Sequence, residues 1–294
     1  MLRGEIRLLA PLQAEVTECP LWDARQHKLH FVDIYGLRIV SLDWGNGALS
    51  QIDTPEPVAC LGLSGDGHFI AGLKSGTAMI DRASGKITPL GSFSIAEDSR
   101  LNDGRCGPGG RYFWVGSMVE KLDHAGGHLH RVGPDGRTEI MASDLICSNG
   151  LAWSPDGRTM YHSDSRQRTV WAYDYDIDTG SIGNKRIFFV APEGEGRPDG
   201  AAVDSEGCYW SARYDGWRIV RHAPDGTELF ILRTPVQKPT MCAFAGDDLS
   251  TLVFTSARGS LSGADLENQP LAGSVFAVDV SVAGRSDPDF KANA

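Results

Sequence analysis

The stretch Ser148-Asn149-Gly150-Leu151-Ala152-Trp153-Ser154-Pro155-Asp156-Gly157-Arg158-Thr159-Met160 is a short apolar run, a Pro-Asp-Gly turn and the start of a second apolar run. Pro-Asp-Gly and Asp-Gly supply the backbone angles that tight connections between antiparallel strands need. The unit recurs along the chain. Its other turns are Trp22-Asp23-Ala24-Arg25-Gln26-His27-Lys28, Ser64-Gly65-Asp66-Gly67-His68, Gly107-Pro108-Gly109-Gly110-Arg111, Asp204-Ser205-Glu206-Gly207 and Gly246-Asp247-Asp248-Leu249-Ser250. The first apolar residues after the turns are Leu29, Phe69, Tyr112, Met160, Cys208 and Leu252, at intervals of 40, 43, 48, 48 and 44. After each comes a run that alternates apolar and polar residues, such as Thr169-Val170-Trp171-Ala172-Tyr173-Asp174 or Ser274-Val275-Phe276-Ala277-Val278-Asp279. That alternation is the mark of a half-buried strand.

Six copies at this period fit four-stranded antiparallel units, and no segment reads as a long amphipathic helix. The chain is therefore read as all-β, a six-bladed β-propeller. A two-sheet sandwich also uses many short strands, but it does not require so steady a period. The first full repeat begins near Glu18, and the last lacks an outermost strand after Asp279. The N-terminal segment Glu5-Ile6-Arg7-Leu8-Leu9-Ala10 is expected to complete the last blade and close the ring. Residues 1–294 are expected to form a single domain, since propellers of this length do so.

Composition narrows the partners. The 41% hydrophobic and 22% charged residues are those of a water-soluble globular chain. A net charge of −10 argues against nucleic acid or an anionic membrane as partner. No run approaches the length of a membrane span. Cys19, Cys60, Cys106, Cys147, Cys208 and Cys242 are widely spread with no CxxC pair, so reduced thiols are expected. Glu5 and Arg7 interrupt the apolar N-terminus, and no signal-peptide cleavage pattern follows. A cytoplasmic location is expected, with a monomer favoured.

In a propeller the first strand of each blade lines the central channel. Glu18, Asn102, Asn149 and Asp199 precede their blades' apolar anchors by 11, 10, 11 and 9 residues. Nearly equivalent places in different blades face one another across the axis. Asn-Gly and Asp-Gly form turns wherever they occur, but that does not account for four oxygen-bearing residues in register. Glu18, Asn149 and Asp199 supply two carboxylates and an amide oxygen, a donor set suited to one hard divalent cation. Oxygen ligands admit calcium, magnesium, manganese, iron(II) or zinc.

These residues carry a resemblance. Glu18-Cys19-Pro20-Leu21-Trp22, Ser99-Arg100-Leu101-Asn102-Asp103-Gly104, Ser148-Asn149-Gly150-Leu151-Ala152-Trp153-Ser154-Pro155-Asp156-Gly157 and Pro198-Asp199-Gly200 look like the gluconolactonase, regucalcin and luciferin-regenerating-enzyme family. The similarity runs from about residue 14 to about 281, and the tail Gly259-Ser260-Leu261-Ser262 with Pro270-Leu271-Ala272-Gly273 resembles its bacterial sugar lactonases. The resemblance implies a six-bladed propeller that holds one divalent metal and hydrolyses sugar-acid lactones. By position it implies Glu18, Asn149 and Asp199 as metal ligands, Asp199 also as general base, and Arg100 and Asn102 as substrate contacts. Glu120 is the nearest match to a further substrate-contacting glutamate, across an insertion around Phe113-Trp114-Val115. Cys19 departs from the family, which usually has glycine there.

The implied chemistry is the opening of an aldonolactone, such as arabinono-, xylono- or gluconolactone, to its aldonic acid. A cation polarises the carbonyl and a carboxylate moves the protons. No G-x-S-x-G elbow, H-E-x-x-H pair or phosphate-binding glycine loop offers a rival chemistry. His124, His128 and His130 read as rim or packing residues, His162 and Asp164 as weaker pocket candidates, and the recurrent tryptophans as inter-blade packing. Two alternatives remain open: a non-catalytic propeller that binds proteins, and a metal-dependent esterase acting on other lactones or phosphoesters.

Overall fold

Five of the six turns that punctuate the sequence are closed by an aspartate of their own, and the third, Gly107-Pro108-Gly109-Gly110-Arg111, has none. Asp23 Oδ1 accepts from the Arg25 amide at 3.0 Å, Asp66 from His68 at 3.2 Å, Asp156 from Arg158 at 3.0 Å and Asp204 from Glu206 at 3.0 Å. This local bond is why aspartate recurs there, because its side chain mimics a backbone turn. The buried Asp204 does more: its Oδ2 accepts from Trp210 Nε1 at 2.8 Å and Arg221 Nε at 2.7 Å, tying the turn to the blade it opens.

The structure, a computed structural model, describes residues 1–91, 93 and 95–292. Its strands form six four-stranded antiparallel sheets, each in simple up-and-down order. The first strands of the blades are Thr17–Asp23, Val58–Leu63, Ser99–Cys106, Ser148–Trp153, Arg197–Val203 and Pro239–Ala245. Each packs against the first strand of the next blade, and the sixth against the first, so together they ring the axis. The sixth blade takes Arg7–Ala10 as its outermost strand, with Arg7 opposite Ala277 and Leu8 opposite Phe276. The ring thus closes through the N-terminal strand, as the missing last strand predicts. The described residues contain one short α-helix, Gly263–Asn268, capped by Ser262, and no helix long and apolar enough to cross a membrane.

Large apolar side chains fill the spaces between blades. Phe31, Phe69, Phe113, Trp114, Trp210 and Phe254 are fully buried. Trp22, Trp153 and Trp171 are buried too, whereas Trp217 is exposed.

Two points of register differ from the sequence reading. The second strands of blades three and five begin at Phe113 and Tyr209, so these residues, not Tyr112 and Cys208, are the anchors. Phe113-Trp114-Val115 is not an insertion either; it is regular strand, paired with Cys106, Arg105 and Gly104. The extra residues of that blade follow the strand, so Glu120 stands directly after Val119.

The corrected register sharpens the equivalence of the polar set. The first-strand residues paired with the anchors Leu29, Phe113, Met160 and Tyr209 are Trp22, Cys106, Trp153 and Val203. Glu18, Asn102, Asn149 and Asp199 each stand four residues before them. The uneven spacing in the sequence came from misplaced anchors and turn length, not from the strands.

Candidate active site

All six first strands break register near their entrance. The shifts fall between Glu18 and Leu21, Val58 and Cys60, Leu101 and Gly104, Asn149 and Ala152, Pro198 and Ala201, and Pro239 and Cys242. A bulge adds an unpaired residue, bends the strand and re-aims a side chain. In blades one, three, four and five it presents Glu18, Asn102, Asn149 and Asp199 to the cavity at the axis. In blades one and four the residue after the polar one is left-handed: Cys19 has φ 52° and Gly150 φ 65°. At Gly150 a Cβ would also fall 2.5 Å from the Tyr209 hydroxyl and 2.6 Å from Ser163 Oγ. Glycine therefore suits this position, and Cys19 occupies it with a side chain.

Cys19 offsets that backbone cost through its sulfur. Sγ accepts from the Leu61 amide at 3.1 Å and lies 3.5 Å from the Leu61 carbonyl, so it ties blade one to blade two. Replacing it separates the two effects. Cys19→Gly is expected to be more stable than Cys19→Ala by up to about 1 kcal/mol, because alanine keeps the left-handed cost of roughly 1–2 kcal/mol and loses the sulfur. Denaturant melts of the two variants check this; alanine as the more stable one would mean that the backbone is not strained.

Glu18, Arg100, Asn102, Glu120, Asn149 and Asp199 all line one cavity of about 420 Å³ at this end of the channel. A second cavity, of about 460 Å³, is lined instead by Trp22, Trp153, Arg105 and the C-terminal segment around Asp287; none of the six reaches it. Glu18 Oε2 accepts from the Cys19 amide at 2.7 Å. Asn149 is gripped from both sides. Its Nδ2 donates to Ser165 Oγ at 2.8 Å, and Ser165 donates on to the Pro198 carbonyl at 2.6 Å. Its Oδ1 accepts from Asn102 Nδ2 at 3.0 Å. This chain across blades three, four and five fixes which end of the Asn149 amide faces the axis. Arg100 is buried; its Nη1 donates at 2.9 Å to both the Leu101 carbonyl and Asn102 Oδ1, leaving Nε without a partner among the described residues. It forms no ion pair with Asp103 among them. Glu120 stands further out, with Oε1 3.1 Å from Lys74 Nζ.

The charges are poorly balanced. Burial, then the charge of Asp199, then that of Asp103 push the Glu18 carboxyl well above the usual carboxylate range; the Cys19 amide and Arg100 only partly oppose them. Burial and then Asp103 raise Asp199 likewise, against Arg197 and Arg100. Asp103 itself is buried with Oδ1 unpartnered, while its Oδ2 accepts from the Leu151 amide at 2.9 Å. Among the described residues no three His, Cys, Asp or Glu side chains form a metal cluster. The axial set is instead two carboxylates and an amide, crowded by a third carboxylate. Carboxylates withdrawn from water that raise one another fit a site for a hard cation, which would relieve all three.

The other histidine candidates lie elsewhere. His162 is buried within blade four, 2.8 Å from Ser148 Oγ, and burial lowers its pKa to about 3. Asp164 Oδ1 accepts from the Arg166 amide at 2.8 Å, so it shapes the loop that presents Ser165 and Arg166 rather than lining the cavity. His124 is a rim residue, 2.7 Å from Asp123, and His130 is buried against Phe93.

The sequence reading missed the mouth. Its aromatic residues are Tyr35 and Tyr214, not tryptophans. With Arg166, Arg197, Asp215, Lys238 and Ser260, they come mostly from the connections between second and third strands. Tyr35, Glu120, Arg166, Asp215 and Ser260 each follow a second strand in this way, and that shared repeat position was the available signal.

Residues 16–258 match the family described as SMP-30/Gluconolactonase/LRE-like region. A 6-deoxy-6-sulfogluconolactonase from Pseudomonas putida is 43% identical over 93% of this chain and 94% of its own. Regucalcin from Gallus gallus is 34% identical over 89% of each chain. The crystal structure of regucalcin from Agrobacterium tumefaciens, described as a calcium-binding protein, superposes with a TM-score of 0.94 at 27% identity and covers 97% of both chains.

Proposed function

The chain belongs to the SMP-30/Gluconolactonase/LRE-like family and is a lactonase, and we propose that it uses one divalent cation to open sugar-acid lactones to their aldonic acids. The carrying observation is the meeting of Glu18, Asn149 and Asp199 with Arg100 and Asn102 in one cavity. Names of relatives point the same way: a sulfogluconolactonase and a calcium-binding regucalcin. We further propose that residues 1–294 act as one domain.

Lactone opening adds water to the carbonyl carbon, breaks the ring C–O bond and returns a proton to the ring oxygen. Asp199 is the group we assign to both proton transfers. It lines the cavity together with Arg100 and Asn102, so its carboxylate borders the space that a bound lactone would fill and can act there as a positioned acid–base group. Arg100 lines the cavity with Nη1 committed to Leu101 and Asn102, and Nη2 is the nitrogen left to donate to substrate oxygens. Asn102 holds both neighbours at the cavity: its Nδ2 donates to the Ser148 carbonyl and Asn149 Oδ1, each at 3.0 Å, and its Oδ1 accepts from Arg100. Tyr35 and Tyr214 offer ring faces to the apolar C–H surface of a sugar. Glu18, Asn149 and Asp199 are the residues that would hold the cation, and when bound it supplies Lewis acidity at the lactone carbonyl.

A panel of aldonolactones with the chelator-stripped and the cation-reloaded protein tests this. Expected is opening of at least one lactone well above the spontaneous rate, lost on stripping and restored on reloading. Spontaneous rates throughout would leave a non-catalytic propeller.

A further inference from the structure

One wall of the cavity carries more positive charge than its carboxylate neutralises. Arg197 pairs with Asp215, and Lys238 Nζ lies 3.8 Å from the other oxygen of the same carboxylate. Gln237 Nε2 takes part of that oxygen at 3.3 Å. Within ion-pair distance the two cations thus share one anion, and Asp199 and Asp265 act on them only from further off. The Lys238 side chain is only 5% exposed. Its remaining partners are neutral: the Gly259 carbonyl at 2.8 Å and Ser260 Oγ at 2.6 Å. Withdrawing an ammonium from water with half a counter-charge is costly, and such groups persist where another anion arrives to complete them. Tyr214 lies between the two cations, 5.3 Å from the Arg197 guanidinium and 5.1 Å from Lys238 Nζ. Arg166 adds a third cation; it is exposed at the cavity and forms no ion pair among the described residues.

Arg166, Arg197 and Lys238 belong to blades four, five and six and form an arc along the cavity. Arg100 and Glu120 belong to blade three, which is opposite blade six in the ring. A lactone seated between them has one end at the axial carboxylates and the other free to face the arc. We propose that this arc is a subsite for a strong-acid anion fixed on the substrate, so that the protein prefers aldonolactones bearing a sulfonate or phosphate on the exocyclic carbon. The inference rests on the lactonase reading and goes further, to the substituent. The Pseudomonas putida relative is named for a sulfonated gluconolactone, which favours sulfonate.

The test uses cation-loaded protein and two readouts. The first is kcat/KM on gluconolactone, 6-deoxy-6-sulfogluconolactone and 6-phosphogluconolactone. The second is calorimetric binding of the three product acids. Completing a half-paired cation with an anion is expected to favour a charged lactone over gluconolactone, and its product over gluconate, which lacks the second anionic group, by roughly 10-fold or more. Arg166→Gln and Lys238→Met should each shrink that ratio several-fold, mainly through KM. Arg166 is exposed, so its variant carries the test if the lysine variant folds poorly. Preference for either anion supports the subsite, and the better one names the substituent. Ratios near one in the unaltered protein, or equal losses on charged and neutral substrates in both variants, would overturn it. Tighter binding of the charged acid without hydrolysis of any lactone keeps the subsite and removes the lactonase reading instead.

Discussion

Asp199→Asn is expected to lower kcat for lactone opening by about 10³-fold, measured at saturating cation. Positioned acid–base groups contribute roughly 10²–10⁴-fold, and here one carboxylate is assigned both the acceptance and the return of the proton. Asparagine keeps the shape and an oxygen donor, so the bulge between Pro198 and Ala201 and the cavity wall survive. It cannot take a proton at any working pH. Saturating cation matters because Asp199 is also a proposed ligand, and a variant assayed at trace cation would mix two losses. A kcat within tenfold of the unaltered enzyme under these conditions would move the base elsewhere, with Glu18 the next carboxylate on the same cavity. Binding of the product acid should change little, which separates lost chemistry from a collapsed site.

Much of this arrangement was legible before any coordinates, and the reason is geometric. In a radial repeat, a residue's distance from its turn fixes its place relative to the axis. Glu18, Asn102, Asn149 and Asp199 could therefore be picked out by counting. Counting failed by a residue at Tyr112 and Cys208, because each is an apolar residue that stands just before its strand. The bulges were invisible, since a shift between Asn149 and Ala152 leaves the apolar pattern intact. Cys19 shows the converse: an oddity in the sequence became a left-handed backbone position in the fold. The mouth was not read because its residues stand at strand ends and in the connections after second strands, outside the apolar pattern, where their shared repeat position shows only once the strands are placed. Ser165 matters only through bonds to Asn149 in the first strand of its blade and Pro198 in the next blade, and no local pattern announces such a pair. Tryptophan, the residue most often found stacking on sugars, instead fills the gaps between blades, and tyrosine takes the mouth.

Glu18→Gln carries the second large expectation, a loss of cation affinity of about 100-fold or more. Affinity in oxygen-ligand sites follows the number of ligand charges, and Glu18 supplies one of only two carboxylates in the proposed set. Its position tolerates the amide: Oε2 needs to accept only the Cys19 amide, which a glutamine oxygen also does. Removing one negative charge also relieves the repulsion that Asp199 and Asp103 exert on this carboxyl. The cation-free variant should therefore be no less stable than the cation-free original, and a thermal melt separates lost affinity from lost fold. Repulsion that weakens the empty fold is the same charge that attracts the ion, so the variant should gain little melting temperature from added cation.

Calorimetric titration of chelator-stripped protein with a divalent cation, run in parallel on Glu18→Gln and Asp199→Asn, tests the axial site most directly. The expected result is one ion per chain in the unaltered protein and a loss of about 100-fold or more in each variant. No binding by the unaltered protein, or binding that both variants retain in full, would contradict the site and the function built on it.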